Sequence, residues 1–190
     1  MPPPLALGGS SSWNIGEPDL INVLQEVTMK GDAPDWWGEI APVPTGLTED
    51  RYVKAVEVRE INDLPPGAGS DTVGGRYIFH HMTYSSGVLN DDGTAVVEDT
   101  RVRWPIHEVG RNADIFPEKF GTLLQANSAL HLGASHFHSN GIAETTAHLE
   151  FGFVFHPKDY APEYGNRARV GLGNGNNIDV VPGRSGQEMH

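Results

Sequence analysis

Ala143-Glu144-Thr145-Thr146-Ala147-His148-Leu149-Glu150-Phe151-Gly152-Phe153-Val154-Phe155-His156 is the stretch that decides the fold. Leu149, Phe151, Phe153 and Phe155 recur at every second position. His148, Glu150, Gly152, Val154 and His156 fall between them. Side chains of a strand alternate between its two faces, so this period marks a half-buried antiparallel strand. Residues 50–60 repeat the pattern, with Tyr52, Lys54, Val56 and Val58 against Val53, Ala55, Glu57 and Arg59. Their β-branched content favours strand over helix. Ser139-Asn140-Gly141 turns the chain after a mixed segment over 122–137, so residues 138–154 read as a hairpin. No stretch longer than a turn or two carries a helical period. Short strands separated by Pro- and Gly-rich turns predict an all-β chain, an antiparallel, jelly-roll-like β-sandwich.

The rest of the chain fits around that frame. Residues 1–12 are rich in Pro, Gly and Ser and read as a linker. Order is expected from Trp13, with a first strand over about 20–27 and an irregular, partly buried loop over 32–44. Residues 76–82 form an apolar strand, and Thr83-Tyr84-Ser85-Ser86-Gly87 after it reads as a turn. Asn90-Asp91-Asp92-Gly93 is another turn, leading into an alternating strand over 94–104. A helical turn is expected in 114–120, and a short strand in 178–181 follows Asn174-Gly175-Asn176-Asn177. This gives one domain over 13–182. Residues 183–190 read as a tail or the start of a missing second domain.

Composition narrows the function. The 190 residues carry a net charge of −12, with their thirteen Lys and Arg scattered. That argues against a nucleic-acid partner and against binding to an anionic membrane surface. No apolar run is long enough to span a bilayer. There is no cysteine, which excludes thiolate metal sites, iron–sulfur clusters and cysteine nucleophiles. The start has no signal peptide. The chain is therefore cytoplasmic, or part of a longer periplasmic or secreted protein.

Nine histidines stand out. His80-His81-Met82 ends the apolar strand, and His131, His136 and His138 cluster about fifty residues later. Adjacent strand residues point to opposite faces, so His80 and His81 reach one ion only if the strand ends, bulges or twists there. His136 and His138 share a face, whereas His131, five residues earlier, faces the other way on a regular strand. Neutral imidazole suits copper, zinc, iron and nickel. With no thiolate, copper comes first and zinc second. His138, His131 and Met82 are possible additional ligands. His148 and His156 read as solvated, His107 as structural and His190 as a chain-end residue. A cupin-like zinc or iron site is an alternative, and it expects Glu144 as a carboxylate ligand.

His80-His81-Met82 resembles the double-histidine motif of the copper type II, ascorbate-dependent monooxygenases, the peptidylglycine and dopamine hydroxylase family. His136-Phe137 with Asn140-Gly141 is similar to the family's later histidine segment. Trp13-Asn14-Ile15-Gly16-Glu17-Pro18-Asp19 and Leu47-Thr48-Glu49-Asp50-Arg51-Tyr52-Val53-Lys54-Ala55-Val56-Glu57 resemble bacterial members, where an upstream haem or redox domain precedes a linker. The resemblance implies that His80, His81 and His136 hold an electron-transfer copper, with ascorbate or a similar reductant. It also implies a second copper in a missing domain, which binds oxygen and hydroxylates a small-molecule or peptide substrate. This chain alone is then not expected to be active. A copper-binding module without hydroxylase activity is the remaining alternative.

Overall fold

The computed structural model describes residues 12–72 and 75–164, with the side chains of residues 133 and 134 left aside. Two antiparallel sheets pack face to face. The first sheet takes the order β1 (Leu20–Val23), β11 (Thr145–Phe155), β4 (Arg51–Asn62), β8 (Ala113–Ile115). On it, β2 (Val27–Met29) pairs with β11 and β9 (Thr122–Leu124) with β4. The second sheet runs β3 (Trp36–Pro44), β10 (Ser128–Phe137), β5 (Phe79–Val88), β6 (Val102–Arg103), with β7 (His107–Glu108) also on β5. The all-β sandwich expected from the alternation is what forms.

The core lies between the sheets. Leu149, Phe151 and Phe153 of β11 meet Phe79, Met82, Leu130, Leu132 and Phe137 of the second sheet. Tyr84 sets its ring edge-on to Phe151 at 4.8 Å, and Trp104 does the same to Phe153 at 5.5 Å. Such aromatic pairs fill the layer with large apolar area in defined geometry. On the far side of the first sheet the N-terminal segment is pinned. The buried Glu57 carboxylate accepts from Asn14 N at 2.7 Å, Asn14 Nδ2 at 2.8 Å and Ile15 N at 3.2 Å. Trp13 stacks under the Arg59 guanidinium at 3.7 Å.

Several local expectations are corrected. The first strand is two short ones, β1 and β2, both on β11. The irregular loop expected over 32–44 is largely strand β3. Its prolines are tolerated because β3 is the edge strand of its sheet. The turn expected at 83–87 is absent, because β5 runs through it to Val88. There Ser86 Oγ accepts from Trp104 Nε1 at 3.0 Å, and Gly87 allows close approach of Val96. Instead of one strand over 94–104 there are a 3-10 turn at Glu98–Thr100 and the two-residue β6. Residues 114–120 hold a single hydrogen-bonded turn, Phe120 N to Pro117 O at 2.8 Å, and no helix. The 138–154 hairpin is not one: β10 and β11 belong to different sheets, and Ser139-Asn140-Gly141 carries the chain across the sandwich. Buried Asn140 accepts from Ile142 N at 3.0 Å to fix that crossing. The linker apart from Ser12, the strand over 178–181 and the segment 183–190 lie outside the described residues.

Candidate metal centre

Strands β5 and β10 set the site. Met82 pairs with Ser135 and His81 with His136, and Met82 and Ser135 are fully buried. Alternation therefore sends His81 and His136 to the outer face of the second sheet. The next pairing is Phe79 with Phe137, two steps along β5 but one along β10. His80 is the extra residue, a β-bulge. The bulge turns neighbouring imidazoles to one side, with ring centroids 4.7 Å apart. Sequence alternation alone forbids this; one unpaired residue permits it. Glu60, reaching over from β4, anchors the entry to the bulge. Its carboxylate accepts from Phe79 N at 2.9 Å and Ile78 N at 3.1 Å. Burial pushes its pKa up to about 7 despite these donors.

The structure brings His80, His81 and His136 together, with one ligand atom of each within 4.8 Å of the others. His80 Nδ1 and His136 Nδ1 are 3.1 Å apart. Two imidazole lone pairs at that distance repel unless a proton or a cation lies between them. Burial, then the neighbouring imidazoles, holds His80 and His136 below the ordinary imidazole pKa, with Asp35 opposing. Both rings therefore stay unprotonated at neutral pH, the form that can take a metal. Trp37 of β3, opposite His136 in register, stacks flat on its ring at 4.4 Å and meets His81 edge-on at 5.3 Å.

A second set of donors adjoins the first. Asp35, His136 and His138 form another group of potential ligands. His138 Nδ1 lies 2.9 Å from Asp35 Oδ2, and its Nε2 lies 2.6 Å from His80 Nδ1. His136 Nε2 is 3.9 Å from the same carboxylate oxygen. Sequence reading missed Asp35 and Trp37, because it took 32–44 as a loop. A strand reading of residues 36–44 would have pointed Trp37 at β10 and brought Asp35 to its end.

The other candidates fall elsewhere. A bulge at Gly133, between the pairings Leu132–Tyr84 and Ala134–Thr83, shifts the phase of β10. His131 thus shares the outer face with His136 instead of opposing it. Four strand steps still separate them, roughly 13 Å, and His131 belongs to neither ligand group. Met82 is fully buried in the core. Glu144 is exposed and in neither group, which removes the carboxylate the cupin alternative expects. His107 is buried, and its pKa is pushed down to about 4 by burial. His156 is not solvated. It is 5% exposed, stacked on Tyr160 at 3.7 Å, with Nε2 3.3 Å from the Phe120 carbonyl. His148 is half-buried near Glu26 and Glu150.

No family model matches the chain, and no curated protein matches it. Among the described residues no helix is long and apolar enough to cross a membrane. His80, His81 and His136 are half-buried imidazoles with one carboxylate, Asp35, beside them, a donor set that suits several divalent metals.

Proposed function

We propose that the chain is a copper-binding β-sandwich that serves as the electron-transfer domain of a copper-dependent monooxygenase. One observation carries this: His80, His81 and His136 present ligand atoms within 4.8 Å of one another on the outer face of the second sheet. Copper held there supplies one-electron exchange between Cu(I) and Cu(II). Three imidazoles make a low-coordinate set that accepts both oxidation states. His81 and His136 come from opposed positions of two strands, and His80 from the bulge, so the backbone fixes the set. Trp37 holds the His136 ring in plane and shields one side from water. The site's outer-face position leaves it open to a reductant such as ascorbate. The oxygen-binding copper and the substrate, a small molecule or peptide, then belong to another domain, in a periplasmic or secreted protein.

The test is copper retention and redox cycling. The chain loaded with one equivalent of Cu(II) and dialysed is expected to retain copper, to lose its Cu(II) spin-resonance signal on adding ascorbate, and to regain it in air. The variant H80A/H81A/H136A, checked for its β circular-dichroism spectrum, is expected to retain none. Full retention of copper by that variant removes the site. A signal that ascorbate leaves untouched removes the electron-transfer role.

A further inference from the structure

We infer that the site holds two divalent cations, joined through the His136 ring, the second bound by Asp35, His136 and His138. The inference rests on the copper reading of His80, His81 and His136. His136 turns its two nitrogens to different donors. Nδ1 faces His80 Nδ1 at 3.1 Å, and Nε2 faces Asp35 Oδ2 at 3.9 Å. The flat Trp37 stack, 3° from parallel, fixes the plane in which both nitrogens point.

Distances decide where His138 belongs. Two donors bound to one ion at about 2.0–2.1 Å and about 90° apart lie roughly 2.9 Å from each other. The 3.1 Å between His80 Nδ1 and His136 Nδ1 fits one ion. So does the 2.9 Å between His138 Nδ1 and Asp35 Oδ2. The 2.6 Å between His138 Nε2 and His80 Nδ1 is shorter than that spacing, and His138 is not in the group of His80, His81 and His136. His138 therefore joins Asp35 rather than the first position. Asp35, His136 and His138 supply one carboxylate oxygen and two imidazoles, a set that suits Cu(II) or Zn(II). Entry of the second ion displaces the proton on His136 Nε2 to solvent, and the one His138 Nδ1 shares with Asp35 moves to His138 Nε2, which leaves a neutral ring with its Nδ1 lone pair on the ion. The negative carboxylate and bridging imidazolate offset the added charge.

The experiment is a Cu(II) titration of the full chain, followed by metal analysis and by doubly integrated spin-resonance intensity. Two copper ions per chain are expected, the second lowering the signal of the first, because imidazolate-bridged Cu(II) ions couple antiferromagnetically. D35A and H138A are each expected to hold one ion, with the full uncoupled signal. Asp35 is a half-exposed residue outside the strands, so its replacement leaves the fold intact. A single ion in the unaltered chain overturns the inference. So does a second ion that survives D35A and H138A or leaves the first signal undiminished. H81A separates the two readings: if one ion is bound and lost only in H81A, the copper reading stands and the second position falls. If the unaltered chain binds none, both fall.

Discussion

Trp37 lies flat on His136, with ring centroids 4.4 Å apart and planes within 3°. The two are register partners on β3 and β10, and Trp37 remains 58% exposed. The indole therefore orders the imidazole without being needed by the core. Trp37→Ala is expected to weaken Cu(II) binding by about tenfold, the lower range for groups that orient metal ligands, while the midpoint of urea unfolding stays put. Competition titration against a chelator of known affinity measures this. Equal affinity in the variant would show that the stack does not orient the ligand.

Glu60 and His107 pull stability in opposite directions with pH. The pKa of Glu60 is raised from 4.5 to about 7, so its folded form prefers the proton. Its contribution is present at low pH and lost as pH rises from about 4.5 to 7, a cost of about 3 kcal/mol. The pKa of His107 is lowered from 6.5 to about 4, so its folded form refuses the proton. Its contribution is present above pH 6.5 and lost as pH falls toward 4, again about 3 kcal/mol. Between about pH 4.5 and 6.5 the two nearly cancel. Glu60→Gln is expected to leave stability rising with pH across that window, and His107→Phe to leave it falling. Denaturant unfolding at several pH values reads both slopes. Like-signed slopes in the two variants would contradict the assignment.

How much of this was legible in the sequence follows from period and pairing. The two-residue alternation of Leu149, Phe151 and Phe153 fixes a half-buried strand, and each of the three is fully buried. The histidine cluster was legible as residue types, with the condition that the doublet needs a bulge. Where that bulge sits was not, because it depends on how β5 pairs with β10, a long-range choice. For the same reason Ser85-Ser86-Gly87 read as a turn, although Trp104 and Val96 use those small side chains for close packing inside a strand. His156 read as solvated because strand parity makes it polar-facing. Tyr160, from beyond the strand, covers it. Asp35 carried no local signal at all, since its partners are His136 of β10 and His138 just past its end.

Gly152 is the polar-side gap in β11, and Trp13 fills it. A Cβ there would sit 2.6 Å from the Trp13 ring and 2.9 Å from Pro18 Cγ. Gly152→Ala is expected to lift the N-terminal strap and cost about 1–3 kcal/mol, as overpacking does. The Arg59 stack on Trp13 is weakened with it. Trp13→Ala removes most of the clash, so the double variant should lose less than the sum of the singles. Urea unfolding of the four proteins gives the coupling. Strict additivity would mean that the indole is not what occupies the gap.

Met82 and His131 separate the geometry of the site from its composition. Both are potential copper ligands by residue type and by their place beside the cluster in sequence. Met82, opposite Ser135, turns inward and is fully buried among the core side chains. His131 turns outward beside Arg101 and Glu39, too far along β10 to share an ion. Met82→Leu keeps volume and apolar character, so a loss below about 1.5 kcal/mol is expected, with copper content and its spin-resonance parameters unaltered. His131→Ala is likewise expected to leave copper content unaltered. A shift in the copper signal from Met82→Leu would require the thioether to reach the ion, which the inward pairing of β5 forbids. Loss of copper in His131→Ala would require β10 to run in a different register from the one that opposes His81 to His136.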